Sequence, residues 1–154
     1  MTARTIIVHE HTGSEGNQAR IIRPLELVSH HREVAGISRL PGITHELVGS
    51  DQLWMGMTIL EPGVATGPHH HGDRETGIYL VSGRLWLRSG PRLESVAELE
   101  VGDLAFLPPY LPHEEVNPSP DEAAVWVVVW NNHLIHVPLV PDADGTYDPD
   151  LTSD

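Results

Sequence analysis

Glycine and proline divide this chain into short pieces, and their spacing limits the folds that it can adopt. The 154 residues include 14 glycines and 13 prolines, and no stretch keeps a helical apolar period for long. The pieces between them are rich in Val, Ile, Leu and Trp, which favour strands. The pattern therefore predicts an all-β sandwich or barrel. The predicted strands are residues 53–60, 77–83, 84–90, 96–100, 103–108, 123–130 and 133–140.

Two of these strands carry information about burial. In "RLWLR" the residues Leu85 and Leu87 share one face, and Trp86 lies on the other. The segment "AAVWVVVW" (123–130) has no polar face, which predicts a central position in its sheet. Met55 and Met57 share a face of another strand, where core packing or a place beside a cavity is expected.

The chain divides into three predicted segments. Residues 1–45 are less regular and form an N-terminal extension that packs on the barrel and adds an edge strand. They contain a weak helix candidate at 24–36. Residues 46–140 form the barrel. Residues 141–154 form an acidic C-terminal tail, which we expect to be a solvated, mobile end.

Composition excludes several classes of function. The formal net charge is −13, and a chain this acidic repels phosphate backbones, so we expect no nucleic-acid partner. No apolar run approaches the roughly 20 residues that cross a bilayer, and the N-terminus is too polar for a secretory signal. There is no cysteine, so disulfides and thiolate metal sites are excluded. We expect a cytoplasmic protein with no membrane partner.

The segment "GPHHHGDRETGIYLVSG" (67–83) contains three consecutive histidines. Side chains alternate faces along a strand, so His69 and His71 point the same way and His70 points the other way. Two imidazoles on one face suit iron, zinc, copper or nickel. An isolated pair of this kind is weak support for a metal site, because surface histidines also cluster by chance.

Two spaced motifs strengthen that interpretation and carry a family resemblance. The first has a glycine separated from the paired histidines by five residues, a glutamate separated from them by three, and a closing glycine at the end of a strand. It resembles motif one of the cupin superfamily. The second, in "GDLAFLPPYLPHEEVN", resembles cupin motif two. The matching positions are Gly63, His69, His71, Glu75 and Gly83 in the first motif, and Gly102, Pro108, His113 and Asn117 in the second.

The resemblance implies a double-stranded β-helix, which is a small jelly-roll barrel, with a metal inside it. Carried over residue by residue, the ligands would be His69, His71, Glu75 and His113. The implied cofactor is one divalent transition metal, with iron, zinc, manganese and nickel left open. His70 is not expected to bind that metal.

The sequence departs from the motifs at two places. Tyr110 stands where motif two usually has glycine. Seven residues separate Glu75 from Gly83, where the usual number is six, so counting back from the glycine leads to Thr76. A bulge near Gly77 would turn Glu75 inward, and we expect this arrangement. The alternative is a site of three histidines with Glu75 outside it.

Further polar residues are candidates for supporting roles. Glu115 and Asn117 share strand parity with His113 and could orient a ligand imidazole. His45, His133 and His136 are expected on the surface or in hydrogen-bonded core positions. No residue is assigned a catalytic role.

The resemblance implies an enzyme that acts on a small polar metabolite inside the barrel, by dioxygenase, isomerase or lyase chemistry, with natural-product synthesis as one setting. The chain looks most similar to small bacterial cupins described as mannose-6-phosphate-isomerase-like. The alternatives are a non-catalytic metal-containing binding or sensor module, and a storage-like barrel. A homodimer is expected, with strand 123–130 and the N-terminal segment at its interface.

Overall fold

The computed structural model describes residues 19–23, 32–132 and 137–149, and the strands among them form two antiparallel sheets. The larger sheet has the strand order β1-β2-β3-β10-β5-β8, and the smaller has the order β11-β4-β9-β6-β7. This architecture is the expected all-β jelly roll. The elements are β1 Arg32–Val34, β2 Ile37–Ile43, α1 His45–Val48, β3 Leu53–Leu60, β4 His69–His70, β5 Thr76–Ser82, β6 Leu85–Ser89, β7 Ser95–Leu99, β8 Leu104–Leu107, β9 His113–Val116, β10 Ala124–Asn131 and β11 Val137–Pro138.

The larger sheet is organised around β10, which pairs with β3 on one side and β5 on the other. This confirms the central position predicted for the apolar run. Side chains alternate along the strand, so Trp126, Val128 and Trp130 are buried while the valines between them are half-buried on the outer face. The barrel interior thus receives two tryptophans from one strand.

The core lies between the two sheets. Leu85 and Leu87 are buried and Trp86 is exposed, as the alternation in "RLWLR" predicts. Each large apolar side chain removed from water contributes about 1.5–3 kcal/mol. Trp54 and Trp130 pack against each other at a tilted angle of 54°, with ring centroids 4.4 Å apart, and Trp130 also contacts the ring of His71. The core residues are Ile37, Trp54, Leu60, Ile78, Leu80, Leu85, Leu87, Leu99, Leu107, Ala124, Trp126, Val128 and Trp130.

The turn between β5 and β6 depends on Gly83. Its φ is +80°, a left-handed conformation that disfavours residues with a Cβ atom. A Cβ added there would lie 2.5 Å from the carbonyl oxygen of Ala123. The position therefore excludes larger residues both by backbone conformation and by space.

Some sequence-based expectations are wrong or lie outside the described residues. The helix candidate at 24–36 ends in a strand, because β1 pairs with β2 as a hairpin at the sheet edge; residues 24–31 are outside the described part. Met55 and Met57 face outward and not into the core, because Trp54 and Thr58 take the buried positions of β3. His133 and His136 lie outside the described residues.

The described part of the acidic tail contacts the loop between β6 and β7. The backbone N–H of Tyr147 donates to the carbonyl of Pro91 over 2.5 Å, and Arg92 pairs with Asp144 at 3.1 Å. Hydrogen bonds from Thr146 and Asp142 lower the pKa of Asp144 to about 2. Within the described ranges no helix is long and apolar enough to cross a membrane.

Candidate metal centre

Three buried histidines from both motifs meet inside the barrel. His69 lies on β4 and His113 on β9, at paired positions of the smaller sheet, and His71 follows β4 directly. Their ligand nitrogens all lie within 4.8 Å of one another. Of the four ligands implied by the resemblance, the structure thus brings three together.

Hydrogen bonds fix the orientation of two of these rings. The Nδ1 atom of His69 lies 2.8 Å from the carbonyl oxygen of Gly67, and that of His113 lies 2.8 Å from the carbonyl oxygen of Leu111. A carbonyl oxygen only accepts, so each Nδ1 carries the hydrogen, and in the neutral ring Nε2 then presents a lone pair. This is the arrangement by which proteins orient metal-binding imidazoles.

The Nε2 atom of His113 provides an independent test of the fit. It is buried and has no hydrogen-bond partner in the part of the chain that the structure describes. A buried acceptor without a partner is costly, and most such atoms in proteins are satisfied. A metal ion between the three imidazoles would satisfy it, so the residues present fit a metal.

His70 differs from its two neighbours. It is buried, but on the other side of the strand from the three-histidine cluster, as side-chain alternation predicts. Its Nδ1 accepts a hydrogen bond of 2.9 Å from the backbone N–H of Gly72, and its ring lies 5.9 Å from that of Tyr110. Its hydrogen bond to the following turn indicates a structural role.

Glu75 is not brought to the histidines. Its side chain is exposed, and its backbone N–H donates to Asn131 Oδ1 at 2.9 Å. The inward position belongs to Thr76, which is 1% exposed and begins the buried series that continues with Ile78. The expectation that Glu75 points into the barrel is therefore not met by this structure.

The strand irregularity that accommodates the extra residue between Glu75 and Gly83 lies nearer to Gly83 than expected. Pairing between β5 and β10 is regular from Thr76 to Leu80, so the break expected near Gly77 is absent. The register shifts instead between Trp126 and Val125, opposite Val81. An irregularity after the inward residues cannot reverse the face of Glu75, which explains its exposure.

A different carboxylate lies beside the histidines. Glu115 is 4% exposed on β9, with Oε2 3.7 Å from His69 Nε2 and Oε1 3.8 Å from His113 Nε2. Thr66 Oγ1 donates to Oε2 at 2.7 Å and lies 2.9 Å from the Glu115 backbone N–H. Glu115 shares strand parity with His113, and its side chain lines the cavity beside the histidines.

Asn117, in contrast, is structural. It is fully buried, and its side-chain NH₂ group lies within 3.2 Å of the carbonyls of Leu60, Glu61 and Glu122. It therefore ties β9 to neighbouring loops and does not orient an imidazole. His45 is exposed and lies 3.0 Å from Asp51, as expected for a surface histidine.

Tyr110 keeps the turn conformation that a glycine would adopt. Its φ is +58°, in the left-handed region, and its backbone N–H donates to the carbonyl of Gly72 over 2.7 Å. The substitution therefore leaves the turn of motif two in place beside the histidine-bearing loop.

The space around the cluster is small. A cavity of about 10 Å³ lies between the histidines and the polar side chains beside them, close to the room that one water molecule needs. Sequence analysis did not name Arg39, Thr58 or Thr66, which also line the cavity. The inward position of Arg39 depends on the pairing of β2 with β3, which places it opposite Thr58. The lining residues are Arg39, Thr58, Thr66, His69, His71, Glu115, Trp126, Val128 and Trp130.

Comparisons with known proteins agree with this geometry. A family model described as a cupin domain matches residues 56–130, which include both motifs. No curated protein matches the chain.

Three solved structures illustrate the likeness. TT1209 from Thermus thermophilus has 27% identity and a TM-score of 0.53, over 62% of this chain and 83% of that chain. KdgF from Halomonas sp. has 18% identity and a TM-score of 0.61, over 74% and 95%. The polyketide cyclase RemF from Streptomyces resistomycificus has 19% identity and a TM-score of 0.66, over 83% and 90%.

Proposed function

This chain belongs to the cupin superfamily, and on that premise we propose that it is a metal-dependent enzyme acting on a small polar metabolite inside the barrel. One observation carries the proposal: three buried imidazoles from both motifs converge within 4.8 Å. Neutral imidazoles in that arrangement suit a divalent transition metal, and we propose iron, zinc, manganese or nickel.

His69, His71 and His113 would hold the metal. When bound, it would supply Lewis-acid polarisation of an oxygen or activation of a water molecule. The carbonyls of Gly67 and Leu111 keep two of the rings in the tautomer that a metal needs. Burial of all three rings keeps bulk water away from them.

Arg39 supports a polar substrate. Its side chain lines the same cavity as the histidines, and it pairs in register with Thr58. A guanidinium group binds carboxylate and phosphate with two parallel hydrogen bonds. We propose a small metabolite with an anionic group, transformed by dioxygenase, isomerase or lyase chemistry; a polymer would not fit a barrel of this size.

A second candidate is a metal-containing module without catalysis, which binds or senses a small molecule. The narrow cavity favours it, since about 10 Å³ has room for an ion or one water molecule and for little else. If this candidate is correct, the cavity at the histidines stays too small to hold a substrate.

We also propose a homodimer formed through the outer face of the larger sheet. That face carries apolar side chains on β3, β5 and β8, among them Met55, Tyr79, Leu104 and Phe106. Apolar patches spanning several strands mark interaction sites in proteins. The four side chains named carry no charge, so this part of the face can meet its own copy without repulsion, even in a chain with a net charge of −13.

A metabolite screen distinguishes the two candidates. Protein loaded separately with each of the four metals is incubated with small carboxylates and sugar phosphates, under air and under nitrogen, and products are followed by mass spectrometry. The enzyme proposal predicts turnover that chelation and His113→Ala both abolish. Saturable binding of a metabolite with no turnover for any metal would support the binding module.

A further inference from the structure

We infer that Glu115 is a direct ligand of the metal centre, so that the site consists of three imidazoles and one carboxylate supplied by the second motif. This inference rests on the proposed metal site and adds a residue to it. It also explains how the barrel obtains an oxygen ligand although Glu75 points outward.

Each carboxylate oxygen of Glu115 lies at the distance from one imidazole nitrogen that two ligands of one ion would have. Glu115 Oε2 lies 3.7 Å from His69 Nε2, and Oε1 lies 3.8 Å from His113 Nε2. Hydrogen bonds between these atom types are about 2.7–3.2 Å long, so neither contact is one. Atoms that each lie about 2.0–2.2 Å from a shared ion are separated by roughly 3–4 Å.

The electronic character of these atoms leads to the same conclusion. Because Nδ1 of His69 and of His113 each donates to a carbonyl, both Nε2 atoms present lone pairs when the rings are neutral, the form that binds a metal. An ionised Glu115 carboxylate also presents lone pairs. Acceptors that face one another in a buried space repel unless a cation lies between them. A divalent metal held by His69, His113 and Glu115 would supply that charge.

Thr66 prepares Glu115 for this role. Its hydroxyl donates to Oε2 at 2.7 Å, and the same oxygen atom of Thr66 lies 2.9 Å from the Glu115 backbone N–H. These contacts hold the carboxylate in one orientation. Ligating carboxylates are commonly held by such hydrogen bonds. Oε1 remains directed towards His113 Nε2.

Two nearby glutamates serve as matched controls. Glu75 is exposed and outside the cluster. Glu114 is buried next to Glu115 in sequence, but its carboxylate pairs with Arg88 at 2.5 Å. Each change to glutamine removes a negative charge without removing a proposed ligand.

The experiment measures the affinity of purified, metal-free protein for Co²⁺ and Zn²⁺ by competition with a chromophoric chelator. We expect Glu115→Gln to weaken binding of both ions by more than about 100-fold, beyond the roughly 10–100-fold that loss of an outer partner of a ligand produces. Glu75→Gln and Glu114→Gln should remain within about threefold of wild type. The visible absorption of bound Co²⁺ should also change in Glu115→Gln alone, because that spectrum follows the ligand set.

The outcomes separate the inference from the proposed function. Tight binding by Glu115→Gln with an unchanged Co²⁺ spectrum overturns the inference and leaves the three-histidine site intact. Weakening by Glu75→Gln in place of Glu115→Gln overturns it as well. Absence of metal binding by wild type overturns both proposals. If Glu115→Gln does not fold, Glu115→Asp is measured instead, because it keeps the negative charge but moves the carboxylate away from the histidines by one methylene group. Wild-type affinity in that variant counts against the inference.

Discussion

His69 and His113 lie opposite each other on neighbouring strands, with ring centroids 4.2 Å apart, although the two motifs are distant in the sequence. The pairing of β4 with β9 creates this contact. Each ring is held by a hydrogen bond from Nδ1 to the carbonyl two positions earlier, so both Nε2 atoms are oriented by the same local geometry. A metal site that spans two strands of one sheet follows from this relationship.

Removal of a histidine from the cluster should therefore weaken metal binding, whereas removal of His70 should not. His113→Ala should lower metal content by at least tenfold, since one of three convergent nitrogens is lost. His70→Ala should retain metal, because His70 lies outside the cluster and accepts from Gly72. Elemental analysis of both purified variants checks this; similar metal content in the two would mean that the assignment of strand faces is wrong.

Gly83 and Gly63 provide a matched test of the fold around motif one. Both have positive φ, so alanine at either position costs about 1–2 kcal/mol of conformational energy. At Gly83 the added Cβ also meets the Ala123 carbonyl at 2.5 Å, whereas at Gly63 nothing lies within 4 Å. Gly83→Ala should therefore lower the free energy of unfolding by about 3 kcal/mol or more in total, whereas Gly63→Ala should cost only the conformational part of about 1–2 kcal/mol. Chemical denaturation of both variants measures it; equal losses would contradict the described turn.

The proposed dimer face is tested at Phe106, which is 64% exposed on β8. Phe106→Glu places a charge in the apolar face and should convert a dimer into a monomer at micromolar concentration. Val96→Glu on β7, an exposed apolar residue of the other sheet, should leave the dimer intact. Light scattering reports the mass of each; a wild-type monomer would remove the proposal.

Strand parity explains why much of the site could be predicted. Alternation alone places His69 and His71 together and His70 apart, and it places Glu115 on the face of His113. These inferences need only local backbone geometry. The motif resemblance then supplies the fold that brings β4 and β9 together.

The remaining features depend on pairing between distant strands. The count of residues between Glu75 and Gly83 indicates an irregularity but not its position, which the register of β10 against β5 decides. Arg39 enters the cavity only because β2 pairs with β3. Sequence reasoning has no access to such registers, so it placed the carboxylate of the site at Glu75 and left Arg39 unnamed.

The most direct test of the metal centre is the metal content of the wild-type protein as isolated, determined by elemental analysis and followed by thermal unfolding with and without a chelator. We predict about one transition-metal ion per chain, and a midpoint of unfolding that falls on chelation, because an ion at a thousand times its Kd stabilises the folded state by about 4 kcal/mol. A protein isolated without metal, whose midpoint does not rise when iron, zinc, manganese or nickel is added, would contradict the account.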